Sequence, residues 1–317
     1  MASAPTPSQA NAGQIRQFVP TLHTDVYNAI DPSSIKLPQP FTAVILGGSG
    51  AVGSGLARSY ARAGATGIVV AARRLDEIEK VAKEAKAINP SLETLALRCD
   101  VSSASDIAAV ANATKAQFGA TVGAVIVNAG YSGPFVTDIT QERAEDFQKA
   151  FNVNTLGPAY AAQSFIPLLN ESAAAAPTSF QGLFIAIGSM AGPTVTAPLT
   201  DIHYNASKFA QSRIIELLHE ERLRLKGEND GVFFASVHPG GIYSDFAKNS
   251  KVPDYIIPLL TDSPDLAGSF IVWLTRNQDR VRGLSGRFLS CKWDVDELLS
   301  KMDDIVDRDL LRPRFAV

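Results

Sequence analysis

Short runs in which almost every position is apolar alternate along this chain with longer stretches in which apolar residues return every three or four positions. The short runs, near 42–46, 67–72, 93–98, 122–127, 182–188, 232–238 and 286–289, read as strands buried on both faces, and the longer stretches read as helices between them. This alternation predicts an α/β fold: a doubly wound, seven-stranded parallel sheet with helices on both faces and right-handed crossovers. Ligands of such sheets bind beyond the carboxyl ends of the strands, so the chemistry is expected in the loops that follow them. Residues 1–14, rich in Ala, Ser, Pro and Gln, are expected to be disordered, 15–40 to form an N-terminal arm, 41–292 the one catalytic domain, and 293–317 a helical tail. One connection breaks the pattern. Residues 240–264 are long for a strand-to-helix turn and hold Tyr243, Phe246, Tyr255, Ile256, Ile257, Leu259 and Leu260. That predicts a substrate lid, with a dimer contact or core packing as the alternatives.

The first apolar run, Phe41 to Leu46, leads directly into Gly47-Gly48-Ser49-Gly50-Ala51-Val52-Gly53-Ser54-Gly55, and helical composition resumes at Leu56. Strand, glycine turn and helix form the context of a dinucleotide loop. Glycines permit the turn and a close backbone approach, and the helix N-terminus favours a pyrophosphate. Gly48, Gly50 and Gly53 fit GxGxxG by letter, so the fold is read as a single Rossmann domain. The second strand ends at Ala72 and is followed by Arg73 and Arg74. A carboxylate here would bind a ribose 2′-hydroxyl, whereas cations suit a 2′-phosphate. NADP(H) is therefore expected over NAD(H), unless the arginines are only a solvated strand end.

Tyr204-Asn205-Ala206-Ser207-Lys208 lies in a helical stretch, which sets a phenol and an ammonium one turn apart on one face. A nearby cation favours phenolate. Bringing a tyrosine from about 10 to about 7 takes roughly 4 kcal/mol, part of which Lys208 can supply and more of which could come from a cationic cofactor ring. Alone, this spacing is weak, because Tyr and Lys four apart occur by chance on many helices.

In this order the segments resemble the short-chain dehydrogenase/reductase family over roughly residues 38–292, and the arm around 18–30 with the tail from Gly286 is similar to members from filamentous fungi. The family's TGxxxGxG loop falls on Leu46 to Gly53, with Leu46 in place of the threonine and Ala51 in place of the middle glycine. The resemblance implies cofactor contacts from Gly47, Ser49, Gly50, Val52 and Gly53, from Arg73 and Arg74, and from Asp100 and Val101 at the adenine. Asn128-Ala129-Gly130 stands for the NNAG segment, Val127 replacing its first asparagine, and Pro239, Gly240, Ile242 and Ser244 fall on the PGxxxT segment that holds the nicotinamide carboxamide. Asn154, Ser189, Tyr204 and Lys208 take the places of the catalytic tetrad. Tyr204 would then give the substrate oxygen its proton, Lys208 lower the tyrosine pKa and hold the nicotinamide ribose, Ser189 hydrogen-bond the substrate oxygen, and Asn154 position a water linking Lys208 to solvent. The gap from Ser189 to Tyr204 implies an enlarged loop at Pro193 to Thr200 over the substrate. The implied activity is NADP(H)-dependent reduction of a ketone on a large hydrophobic substrate, polyketide-like if a fungal association with secondary metabolism carries over, in a homodimer or homotetramer. A non-redox isomerase or cyclase retaining NADP(H) stays open, as does a silent NADP-binding regulator, though the latter would most easily have lost Tyr204 or Lys208.

Bulk properties exclude several other classes. The 317 residues carry a formal net charge of −3 and no basic block beyond the helix face Arg222-Leu-Arg-Leu-Lys226, which argues against a nucleic-acid partner. Cys99 and Cys291 are the only cysteines, so no disulfide framework exists and both read as packing residues. No apolar run approaches the roughly 20 residues of a membrane span, and no signal-peptide core opens the chain, so a cytoplasmic location is expected. His23 lies in the arm, His219 on a charged helix face, His238 at a strand end and His203 beside Tyr204. No metal is expected, and His203 is read as structural.

Overall fold

Thr42–Leu46 (β1), Gly67–Ala72 (β2), Glu93–Arg98 (β3), Val122–Val127 (β4), Gly182–Ile187 (β5), Val232–His238 (β6) and Arg287–Ser290 (β7) pair side by side, all parallel, in the order β3-β2-β1-β4-β5-β6-β7. Each lies within about a residue of its expected position. The computed structural model describes residues 13–176, 182–195, 201–227 and 232–315. The expected disorder at 1–12 and the 196–200 part of the enlarged loop fall outside these residues, while 13–16 form a helical turn where disorder was expected through 14.

The helices are Ala51–Arg62 (α1), Leu75–Ile88 (α2), Ala104–Phe118 (α3), Ala144–Phe151 (α4), Gly157–Ala175 (α5), Ile202–Lys226 (α6) and Pro264–Arg276 (α7). Successive strand residues serve opposite layers, as the two-residue period requires. Ala43 and Ile45 of β1 pack with Leu56, Tyr60, Ile78 and Phe270 from α1, α2 and α7, whereas Val44 and Leu46 pack with Ile107, Phe165 and Ile215 from α3, α5 and α6. Helices α1 and α7 approach closely enough that a Cβ on Gly55 would lie 2.1 Å from Pro264 O. The chain runs outward from β1 to β3, then crosses back to β4 on the other side of β1. This reversal opens a crevice at the carboxyl ends of β1 and β4.

Arm and tail are sewn to each other. Thr21 donates from N and Oγ1 to Glu297 at 2.8 and 2.7 Å, the His23 N–H donates to Lys292 O at 2.7 Å, and Phe18 stands 5.2 Å from the fully buried Trp293 ring. Val19, Ile30, Trp293 and Leu298 thereby join the layer that holds α7. The helical part of the tail consists of two short pieces, Val295–Ser300 and Met302–Asp307.

Candidate active site

The glycine loop begins at the crevice. Gly47 has φ +95°, and a Cβ there would lie 2.2 Å from Ala129 N; one on Gly53 would lie 2.6 Å from Gly47 O. A Cβ on Gly50 would meet nothing within 4 Å. Gly50 also caps α1, whose first turn has no side-chain cap and no acidic residue, so its amides and dipole are available to an anion. Ala51 is the first residue of that helix and half-buried. Asn128 Nδ2 donates to Gly47 O at 2.6 Å, and the N–H groups of Asn128 and Ala129 donate to Leu46 O at 2.7 and 2.9 Å, tying the loops after β1 and β4 together.

The two arginines at the end of β2 differ. Arg74 is taken by Glu77 at 2.6 Å, whereas Arg73 is exposed and makes no ion pair among the described residues. Burial alone would raise the Asp100 carboxyl; hydrogen bonds from Ser102 Oγ (2.7 Å) and N (3.0 Å), with the charge of Arg73, bring it below its ordinary value. Arg73 and Asp100 therefore share one corner, at the ends of β2 and β3, beside the buried Val101.

Ser189 follows β5 and Tyr204 sits in the first turn of α6, whose N-cap Asp201 accepts from Tyr204 N at 3.4 Å. The Ser189 hydroxyl hydrogen-bonds the half-buried phenol. Burial pushes that phenol up to about 12, the Ser189 contact opposes the shift and the Asp201 charge adds to it. Lys208, 3% exposed, donates from Nζ to Ile187 O at 2.7 Å, and burial brings its ammonium down to about 7. Its Nζ lies 6.0 Å from the Tyr204 ring centre. The lowering of the phenol that was expected from Lys208 is therefore not present in the pair itself, because desolvation dominates both groups.

Asn154 lies in one π-helical turn, Asn152–Leu156, between α4 and α5. Fully buried, it donates from Nδ2 to Tyr131 O (2.7 Å) and Ser207 Oγ (2.9 Å) and accepts at Oδ1 from Tyr131 N (2.8 Å). It thus clamps the loop after β4 onto α6. A Cβ on Gly130 would lie 3.5 Å from Asn154 Oδ1, 3.6 Å from Phe246 Cε2 and 3.7 Å from Lys208 Nζ, so these three groups border one space.

The stretch after β6 supplies the remaining wall. Gly240 has φ +91°, and the Gly241 N–H donates to Asp262 Oδ2 at 2.6 Å, while Asp262 Oδ1 also holds Lys292. Pro239 follows β6 directly, Ile242 bridges to Thr261, and Ser244 precedes a five-residue helix, Asp245–Asn249, without capping it by its side chain. Phe246 stands 6.1 Å from the Tyr204 ring. Tyr243, Phe246, Tyr255 and Leu259 are each more than 40% exposed, whereas Ile256 is buried, so the segment has both an outward apolar face and an anchor. Sequence reasoning missed Asp262, Ser207 and Tyr131, which act through hydrogen bonds with no spacing signal. It also missed His238, whose Nδ1 accepts from Met190 N at 3.2 Å and steadies the turn after Ser189.

The short chain dehydrogenase family model matches residues 41–253. The short chain dehydrogenase pgmD of Aspergillus terreus is 27% identical over 318 residues, covering 98% of this chain and 97% of that protein. The short chain dehydrogenase pigC of Monascus ruber is 30% identical over 299 residues, covering 93% and 92%. A short-chain type dehydrogenase/reductase from Mycobacterium marinum shares the fold, with TM-score 0.69 at 22% identity over 83% of this chain and 97% of its own. The reversal of strand order at β1 and β4, the glycine loop that fills it and these matches agree, and the chain belongs to the short chain dehydrogenase family.

Proposed function

We propose that the protein is an NADPH-dependent ketone reductase acting on a large, mostly hydrophobic substrate. The observation that carries this reading is the meeting of Ser189, Tyr204 and Lys208 at the carboxyl edge of the sheet, beside a glycine loop with an open approach at Gly50. NADPH, when bound, supplies the hydride. The backbone of the glycine loop and the start of α1 would hold its pyrophosphate, Asp100 and Val101 its adenine, and Asn128, Ala129, Gly130, Pro239, Gly240, Ile242 and Ser244 the length toward the nicotinamide. Arg73, exposed and unpaired among the described residues, favours the 2′-phosphate, with Arg74 held by Glu77 in a lesser part.

Burial keeps the phenol in its neutral form, the form that gives a proton, up to about 12. Tyr204 Oη would protonate the carbonyl oxygen as negative charge develops there, and Ser189 Oγ would donate a second hydrogen bond to the same atom. Lys208, bordering the space above Gly130 and bonded to Ile187 O, would hold a ribose hydroxyl of the cofactor. Asn154 holds the floor of that space in place through Tyr131 and Ser207. The exposed apolar residues around Phe246 support a hydrophobic substrate. Work in the cytoplasm as a homodimer or homotetramer completes the proposal. NADPH absorbance during turnover of a multi-ring ketone tests it: a stoichiometric fall is expected, and product formation with NADPH unchanged would replace reduction by a non-redox reaction.

A further inference from the structure

A buried cluster that the proposed reaction does not use stands one residue before Tyr204. His203 is 1% exposed, and its Nδ1 lies 2.9 Å from Asp201 Oδ1 and 3.2 Å from Glu142 Oε1. Its Nε2 is hydrogen-bonded to Ser132 O. The carboxylate side chains are as secluded as the ring, 5% exposed for Asp201 and 3% for Glu142, and neither Glu142 oxygen has a hydrogen-bond partner among the described residues. No Lys or Arg pairs with either acid among those residues. Even with a doubly protonated imidazole, two carboxylates leave one negative charge in excess in a site closed to water. An uncompensated buried charge of this kind is strongly unfavourable.

We propose that Glu142, Asp201 and His203 form a binding site for a divalent transition-metal cation of the zinc or manganese kind, held by His203 Nδ1 and one oxygen of each carboxylate. All three donor atoms lie within 4.8 Å of one another. Bonds of about 2.0–2.1 Å in tetrahedral or octahedral arrangement set neighbouring donors roughly 2.8–3.4 Å apart, and the separations from Nδ1, 2.9 and 3.2 Å, lie in that range. One imidazole and two carboxylates suit zinc or manganese and match no thiolate-demanding ion. The partner of the other ring nitrogen agrees: a metal-bound histidine donates its second N–H to a carbonyl or carboxylate, and Ser132 O receives it here. The ion would not reach the substrate. It would hold, because Ser132 also bonds the Ser250 hydroxyl and the Phe135 N–H donates to Ser250 O at 2.8 Å, joining this cluster to the segment that carries Phe246.

The competing description is a metal-free imidazolium. Burial works against the charge on His203, but Asp201 and then Glu142 raise the ring to about 9. The two descriptions differ by one proton, which a metal must displace from Nδ1, so binding should release about one proton per ion at pH 8. The test uses tag-free chain stripped with a chelator and titrated calorimetrically with Zn²⁺ and Mn²⁺ in buffers of different ionisation enthalpy, with Co²⁺ as an absorbing probe. Expected are one ion per chain, proton release near one, and a visible Co²⁺ spectrum. E142Q, which removes the uncompensated charge and should fold as well as wild type by circular dichroism, should bind roughly tenfold or more weakly. A wild type that takes up no ion, or uptake equal in E142Q, would overturn the site and leave the imidazolium as its occupant.

Discussion

Tyr204→Phe removes one oxygen from the centre of the site. The phenol stands at about 12 because burial disfavours its anion, against the pull of the Ser189 hydrogen bond. At pH 7 roughly one molecule in 10⁵ is then ionised, and bringing the group down to 7 for the reverse reaction would take about 7 kcal/mol. Proton donation requires no prior ionisation. A positioned acid contributes about 10²–10⁴-fold, so the variant should lower kcat for reduction by at least roughly 10²-fold, about 2.7 kcal/mol of barrier. The structural cost is much smaller: one bond between two hydroxyls is worth about 1 kcal/mol net, a shift of roughly 2–4 °C in Tm for a chain of this size. Lys208 keeps its bond to Ile187 O, so NADPH affinity should hold. The assay follows NADPH absorbance at saturating ketone, alongside a cofactor titration and a thermal melt. A variant retaining more than about a tenth of wild-type kcat, with cofactor Kd unchanged, would show that another group gives the proton and that the assignment of Tyr204 fails.

Arg73→Ala should weaken NADPH by roughly 10–100-fold and NADH little, because a charge-assisted bond to the extra phosphate is worth about 1.5–3 kcal/mol; Arg74→Ala should do much less, and equal losses for both cofactors in titrations at one ionic strength would reduce both arginines to surface charge. Asn154→Ala strands the Tyr131 N–H and the Tyr131 carbonyl, while the Ser207 hydroxyl keeps its bond to Tyr204 O, so it should lower stability by at least about 2 kcal/mol in urea titration as well as activity, and a fully stable but inactive variant would contradict the clamp. Gly55→Ala forces a methyl against Pro264 O and should separate α1 from α7 at about 1–3 kcal/mol or more, whereas Gly50→Ala should leave the melting temperature nearly unchanged; the same shift in both would refute the packing argument. The Phe246→Ala, Tyr255→Ala double variant should abolish a preference in kcat/KM for a multi-ring over a short aliphatic ketone, and an equal modest loss on both would favour packing over substrate contact.

Legibility from sequence followed the range of the physics. The seven strands were readable because a strand sealed on both faces is apolar at consecutive positions, and even β3, half-exposed at the sheet edge, is bounded by clear turns. The glycine loop was readable because close approach at Gly47 and Gly53 leaves no room for a Cβ. The π-helical turn at Asn152–Leu156 was not, since a single displaced hydrogen bond leaves no periodicity. Nor was the pairing of Glu142 with His203, which depends on how the loop before α4 folds over the first turn of α6. The protonation of Tyr204 and Lys208 also escaped: their spacing predicts attraction, while the depth at which the fold buries them decides both shifts.

The stitching of the arm to the tail has a consequence for how the protein is made. Thr21 and Glu297 are separated by 276 positions, so the arm is synthesised well before the residue that holds it. At roughly 5–20 residues per second, the arm waits about 15–55 s on the ribosome with Phe18 and Val19 uncovered. The Rossmann core can assemble during that interval, but its α7 layer is closed only when Trp293 arrives. Chains cut short after β7 would therefore lack Trp293 and leave Phe18 and the α7 layer without their cover.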